Sequence, residues 1–163
     1  MPNLERRSGV AGDGVFARED ILPGALLLRF TGPVLRYAET TAPGTYAVQI
    51  GPDRYLGASG DLDDYVNHAC APNAGLVIDG LDVRLVAIAP ITAGEEVTFD
   101  YSTTFDEDDF EFDCRCGAPT CRGRMRDGKH LPEAIWRRYL ALGVLPDYVQ
   151  TARARLAAGP RAA

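Results

Sequence analysis

Three of the four cysteines in this 163-residue chain fall in one short segment, Cys114-Arg-Cys116-Gly-Ala-Pro-Thr-Cys121. The fourth, Cys70, lies far upstream in Asn67-His68-Ala-Cys70-Ala-Pro72-Asn73. Four thiols are the complete ligand set of a closed tetrahedral zinc site. A chain held that way must fold its C-terminal part back onto Asn67 and His68, two polar residues with no other evident reason to meet it. The N-terminus, Met1-Pro-Asn-Leu-Glu-Arg-Arg7, lacks the apolar stretch of a secretory signal. The expected compartment is therefore a reducing cytosol, or a nucleus in a eukaryotic cell, where clustered cysteines are more often metal ligands than disulfides. Zinc is favoured over unlinked or redox-active thiols.

The length fits one domain with a real hydrophobic core. No apolar run approaches the roughly 18 residues that cross a bilayer, so no membrane partner is expected. Short stretches rich in aliphatic, aromatic and β-branched residues, bounded by Gly and Pro, read as strands: 25–30, 45–50, 53–56, 76–78, 83–88 and 96–99. Asp79-Gly80 between two of them is a hairpin signal. Beyond Cys121 the pattern changes. Ile135, Tyr139 and Leu142 recur near helical spacing behind Pro132, and Val149, Ala152 and Leu156 do so behind Pro146. Trp136 reads as a core or interface residue. The fold class expected is mainly β, with many short strands and two C-terminal helices. The final Arg161-Ala-Ala is expected to be disordered.

The net charge of −6 has the wrong sign for a phosphate-binding face, so no direct nucleic-acid contact is expected. Six acids crowd between Asp106 and Asp113. They are either a solvated loop or a field that draws basic substrates inward.

Three motifs need weighing together: the turn Gly12-Asp13-Gly14-Val15, the segment Asn67-His68-x-Cys70, and Gly94-Glu-Glu-Val-Thr-Phe99-Asp100-Tyr101 running into the cysteine cluster. Singly, the first is only a turn, with no third glycine to open a dinucleotide-binding helix. His68 alone would be a hydrogen-bonded core histidine, and Tyr101 alone a strand-end aromatic. In this order, over roughly residues 9 to 123, they resemble the SET-domain protein-lysine methyltransferases with a post-SET zinc segment. The resemblance is to a minimal member, with no cysteine-rich pre-SET region before the glycine turn.

That resemblance implies a SET fold of several small β-sheets with a pseudoknot, which would bring Asn67, His68 and Tyr101 together. It implies a SET domain over 1–112, a post-SET zinc-binding segment over 113–123, a helical extension over 124–158 and a tail over 159–163. The cofactors implied are S-adenosylmethionine and one structural Zn²⁺ on Cys70, Cys114, Cys116 and Cys121. The backbone around Gly12, Asp13, Gly14 and Val15 would follow the methionine and ribose parts of the cofactor. Asn67 and His68 would hold its adenine edge and amino-acid end, and Tyr65 would lie beside it. Tyr101 is the implied catalytic residue, while Tyr46 and Phe99 would line the channel for the substrate lysine. Phenylalanine at 99 implies di- or trimethylation, because a hydroxyl there would hold water and restrict the amine. Asp100 between them is expected to fix its turn by hydrogen bonds, and Arg115 and Arg122 to be solvated. Two positions depart from the family pattern: Asp64 stands where many members carry arginine, which removes a cation expected near the cofactor carboxylate, and Ala69 replaces a serine.

The reaction expected is methyl transfer to a protein lysine on a basic, possibly histone-like, tail. A lysine amine has a solvated pKa of about 10.4 and must be neutral to react; a dry channel beside a positive sulfonium favours that form. Rival readings are a SET enzyme acting on a non-histone protein or peptide, and a catalytically silent SET domain serving as a binding module. A zinc-ribbon nucleic-acid binder is disfavoured by charge and by the remoteness of Cys70. The sequence leaves oligomeric state open.

Overall fold

The computed structural model describes residues 2–9, 12–40 and 46–159. In chain order the elements are strands β1 (Leu4–Gly9), β2 (Gly12–Ala17), β3 (Leu26–Phe30) and β4 (Val34–Leu35), the one-turn helix α1 (Tyr37–Thr40), then β5 (Val48–Gly51) and β6 (Arg54–Leu56). A 3₁₀ turn, Leu62–Tyr65, leads to β7 (Asn67–His68), β8 (Ala74–Asp79), β9 (Asp82–Ala87) and β10 (Glu96–Phe99). A second 3₁₀ turn at Tyr101–Thr103 precedes β11 (Glu111–Asp113) and β12 (Arg124–Arg126). A third, Gly128–His130, precedes the helices α2 (Glu133–Ala141) and α3 (Asp147–Ala158). The expected tail lies almost wholly outside the described residues, as does Thr45 at the start of one expected strand.

Four small sheets result, with strand orders β1-β2-β10-β7, β3-β9-β8, β4-β6-β5 and β11-β12. Among the described residues every pairing of these strands is antiparallel but one. Strand β7 runs parallel to β10, with Asn67 opposite Thr98 and His68 opposite Phe99. That pair is the crossing that sets Asn67-His68 against the segment ending in Tyr101. It is held on its far side by Asn73, whose amide donates to the Glu96 carbonyl at 2.8 Å and accepts from the Thr98 amide at 3.0 Å.

Strand β9 shows how one sequence serves two cores. Val83, Leu85 and Ala87 point into the main core with Val15, Leu27, Leu76, Val97 and Phe99. The alternate residue Val86 faces the other way, with Val77 and Ile88, onto Leu131, Tyr139, Val144, Leu145 and Val149. The C-terminal helices and their connections therefore cover the second face of the β3-β9-β8 sheet, as period-two alternation in a sandwiched sheet requires. Gly75 on β8 is fixed by this packing, since a Cβ there would lie 2.6 Å from Val144 Cγ1.

The structure corrects the sequence reading at several points. The hairpin loop is Gly80-Leu81 rather than Asp79-Gly80, because Asp79 pairs with Asp82. Leu142 and Leu156, expected on the buried helix faces, are exposed. The second core is filled by Val144 and Leu145 from the connection between α2 and α3 instead. Trp136 is half-buried beneath the Arg153 guanidinium, 4.4 Å from the ring centroid. Strands β1, β4, β7, β11 and β12 were not foreseen.

Candidate active site

Local capping delivers the Asn67-His68 pair. Asp61 caps the 3₁₀ turn by accepting from the Leu62 amide. The buried carboxylate of Asp63 accepts from the Thr31 amide at 2.8 Å and the Ser59 hydroxyl at 2.6 Å. Asp64, in the position where a cation was expected, instead accepts from the amides of Ser59 at 2.9 Å and Gly60 at 2.8 Å. The turn so fixed leaves Tyr65 half-buried, puts Val66 into the core and starts β7.

Asn67 Nδ2 donates to the Asp13 carbonyl at 3.0 Å and to Glu96 Oε1 at 2.7 Å. Gly14 lies under both: a Cβ there would lie 2.3 Å from Glu96 Oε1 and 3.0 Å from Asn67 Nδ2. Only glycine leaves room for those two side chains. Gly12 takes φ +103°, a value that also favours glycine. The Val15 side chain is in the core, so only its backbone is available to a ligand. Asp13 accepts from Arg6 Nε at 2.9 Å, and this ion pair holds its carboxyl below the usual range. The same Arg6 guanidinium lies 3.7 Å from the centroid of the Tyr65 ring, and the Tyr65 and Tyr46 rings are 6.2 Å apart. Thus Arg6 from β1 brings a cation to the neighbourhood that Asp64 leaves without one.

His68 is neutral: burial lowers its pKa to about 4, outweighing the pull of Asp100. Its Nδ1 accepts from the Tyr101 amide at 3.1 Å, while Nε2 lies 3.5 Å from Cys70 Sγ. One nitrogen thus positions the Tyr101 backbone, and the other faces the thiol cluster. The Tyr101 hydroxyl donates to the Val66 carbonyl at 2.9 Å. Burial, with Glu96 nearby, pushes the Tyr101 phenol up to about 12, so it acts at neutral pH as a hydrogen-bonding hydroxyl rather than a phenolate. Its ring is 4.8 Å from Phe99 and 5.4 Å from His68.

Two concavities meet at Tyr101. On one side is a mostly apolar cavity of about 220 Å³, lined by Tyr46, Val66, Phe99, Phe105 and Phe110 among others. On the other is a groove of about 490 Å³ between Asn67, His68 and the Phe112–Cys116 segment. Tyr101 lines both.

The four thiols Cys70, Cys114, Cys116 and Cys121 offer sulfur atoms all within 4.8 Å of one another. Four Zn–S bonds of about 2.3 Å in a tetrahedron imply S···S separations of about 3.8 Å. Cys70 Sγ and Cys114 Sγ are 3.8 Å apart. The Arg122 amide approaches Cys70 Sγ at 3.4 Å and the Cys70 amide approaches Cys116 Sγ at 3.5 Å, contacts that favour thiolates. The donor set fits a closed structural Zn²⁺ site.

Sequence reasoning missed four residues here. Arg122, expected to be solvated, is a correction: its guanidinium donates to both oxygens of buried Asp100, at 2.7 and 2.6 Å. Asp100 also accepts from Ser102 N at 3.1 Å, fixing its turn, and from the Tyr139 hydroxyl at 3.0 Å. It ties the Tyr101 turn to the cysteine segment and to α2. Glu96 was legible only as the second of two acids after Gly94. Phe112 packs edge-on against His68, with centroids 5.6 Å apart, and walls the groove. Arg6 carried no signal at all.

Residues 12–102 match the SET domain. The chain belongs to the SET-domain family. Over 134 residues it is 33% identical to Histone-lysine N-methyltransferase trr of Drosophila melanogaster, covering 73% of this chain and 6% of that protein. Over 128 residues it is 31% identical to the H3 lysine-4 specific histone-lysine N-methyltransferase of Schizosaccharomyces pombe, covering 69% of this chain and 14% of that one. Among solved structures it is similar to KRYPTONITE in complex with mCHG DNA and SAH. There the TM-score is 0.64 and the identity 27%, over 76% of this chain and 29% of the other. KRYPTONITE with mCHH DNA, an H3(1-15) peptide and SAH gives a TM-score of 0.62. The SET fold of several small sheets is therefore shown both by sequence and by structure. The chain spans only a small part of the length of these relatives.

Proposed function

We propose that this SET domain is a protein-lysine N-methyltransferase using S-adenosylmethionine, with a lysine on a basic protein tail as acceptor. The observation that carries this reading is Tyr101 as the common wall of an aromatic-lined channel and a separate groove beside Asn67 and His68. A transfer between two molecules needs two entrances meeting at one point, and this geometry has them. S-adenosylmethionine, when bound, supplies an activated methyl group on a positively charged sulfur. Asn67, His68 and the backbone from Gly12 to Val15 are the residues to hold it, with Gly14 making room for the Glu96–Asn67 pair that fixes the Asn67 side chain. Tyr65 and the Arg6 cation beside it lie at the edge of that region.

The channel residues do the rest. Phe99, Phe105 and Phe110 exclude water, and a dry wall favours the neutral lysine amine. The Tyr101 hydroxyl, held against the Val66 carbonyl, orients the incoming nitrogen. Alignment of this kind supplies several kcal/mol of acceleration without covalent help from the protein. Phe99 places no hydroxyl in the channel, which leaves room for a second and third methyl group. The zinc segment is structural: it closes the groove through Phe112–Cys116 and offers no open coordination position.

The net charge of −6 suits a basic partner. The histone methyltransferases among its relatives support an H3-like tail as the first substrate to try, which would place the protein in a nucleus or wherever such a tail is present. Among the described residues no helix is long and apolar enough to cross a membrane. The test is incubation with S-adenosylmethionine and lysine-bearing basic peptides, read by mass spectrometry. Gains of about 14 Da on lysine-containing peptides, absent when lysine is replaced by arginine, are expected. Cofactor binding by calorimetry with no transfer to any peptide or lysate protein would favour a silent binding module instead.

A further inference from the structure

A second cavity, of about 250 Å³, lies directly beside the lysine channel and shares Ala47, Phe105 and Phe110 with it. Its remaining walls include Tyr37, Tyr55, Glu107 and Asp109. Among the described residues, four buried side-chain nitrogen or oxygen atoms have no hydrogen-bond partner. Two of them, the Tyr55 hydroxyl and Glu107 Oε2, belong to residues lining this one cavity. Tyr55 is 1% exposed. A buried hydroxyl and a buried carboxylate oxygen left unpaired in one hollow mark the place of a missing donor.

The surroundings say which donor. Four of the other five acids of the run are already engaged: Asp106 with Gln49, Asp108 with Lys129, Glu111 with Arg124, and Asp109 with the Tyr37 hydroxyl. Lys129, whose charge acts on Glu107, is committed to the Asp106 carbonyl at 2.6 Å and Asp108 at 2.8 Å. The segment is not free to collapse either, since Tyr148 donates to the Thr104 carbonyl at 2.6 Å and the Asp106 amide donates to Gln49 at 2.9 Å. Burial, reinforced by Asp109, raises the Glu107 carboxyl to about 7, so it stands ready to ionise against an incoming positive charge. The hollow thus offers the unpaired Glu107 oxygen, the Asp109 carboxylate bonded to Tyr37, an unfilled hydroxyl and flat aromatic walls.

We propose that this cavity is a subsite for the guanidinium of an arginine that flanks the target lysine in the substrate. The proposal rests on the lysine-methyltransferase reading above and narrows its substrate class. Arginine fits better than lysine because its planar, five-donor head serves acidic and hydroxyl acceptors at once and stacks on rings. An ammonium, with three donors on one atom and no planar face, neither spans the separated acceptors nor stacks on the rings. The shared wall places that arginine within a few residues of the lysine, as an extended peptide advances about 3.3 Å per residue.

The experiment is a positional scan: a glutamine-rich peptide with one central lysine, carrying a single arginine at each position from three before to three after. The quantity read is kcat/KM with arginine over kcat/KM with glutamine, taken within each protein so that overall activity cancels. In the wild type one position should give a ratio of roughly tenfold or more. In Glu107→Gln and in Tyr55→Phe, both checked for native near-ultraviolet dichroism, the ratio should fall below about threefold. No preferred position, a ratio untouched by Glu107→Gln, or an equal gain from lysine at the same position would overturn the assignment. If no peptide is methylated at all, the enzyme reading fails, and the subsite is decided separately with N-acetyl-arginine methylamide. Saturable shifts of the Tyr55 and Glu107 nuclear magnetic resonance signals in the wild type, lost in Glu107→Gln, would support it; no shifts would sink it.

Discussion

At the scale of single residues, Gly14 separates folding from binding. Its missing side chain leaves room for Glu96 and Asn67, and the atom that a methyl group would strike is the mobile end of Glu96. Gly14→Ala should therefore cost less than about 1 kcal/mol of stability. The displaced Glu96 would give up its bond to Asn67, and the dissociation constant for S-adenosylmethionine should rise by roughly tenfold or more. Thermal melting and calorimetric titration on the same sample read the two effects apart. Phe99 offers a second test. Phe99→Tyr adds a hydroxyl to the channel wall, and mass spectra of the product should shift from di- and trimethylated lysine towards monomethylated. Glu107 makes a third prediction, in pH. Its folded pKa of about 7 lies above its unfolded value, so the folded state holds the proton longer. The Glu107 contribution to stability should then fall as pH rises from about 4.5 to about 7 and flatten above. Glu107→Gln should match the wild type at pH 4 and exceed it at pH 8 by about 1 kcal/mol, the figure being reduced for the solvent-exposed part of the side chain. Urea melts at the two pH values check the sign.

At the scale of elements, the β11-β12 pair and the thiols around it form a unit tied to the body through Asp100 and the proposed metal. The guanidinium of Arg122 on buried Asp100 is half of that tie, and Cys70 is the other half. Removing zinc with a strong chelator should abolish methyl transfer and lower the melting temperature, while far-ultraviolet dichroism keeps most of its β signal. Full activity in metal-free protein would contradict the structural role. The same elements show what a sequence can and cannot disclose. β3, β8, β9 and β10 were legible because their aliphatic residues are concentrated between turn residues. β1 was not, because Arg6, Arg7 and Ser8 are exposed on an edge strand, where charge protects against stray pairing and hides the pattern. β11 and β12, three residues each, flank the cysteine motif and are too short to show an alternation. On α2 and α3 the periodicity overreached: it counted Leu142 and Leu156 as buried, whereas Val144 and Leu145 in the connection fill that space.

At the scale of the whole molecule, residues far apart in the chain become one site through the parallel β7-β10 pair and the return of the cysteine segment over it. The motifs at Asn67-His68, Phe99-Asp100-Tyr101 and the cysteines were readable because each needs particular side chains at fixed spacing. The arginine-sized hollow was not, since Tyr37, Tyr55 and Glu107 have no sequence relation to one another and meet only when α1, β6 and the acidic loop are packed together. Arg6 escaped for the same reason. A hydroxyl between a channel and a groove is the core of the mechanism, and one substitution isolates it. The decisive measurement is single-turnover methyl transfer to a lysine peptide by the wild type and by Tyr101→Phe, each with S-adenosylmethionine affinity determined beforehand. The account predicts that the variant binds the cofactor within about threefold of the wild type and transfers methyl roughly a hundredfold more slowly. Transfer at the wild-type rate by Tyr101→Phe would contradict it.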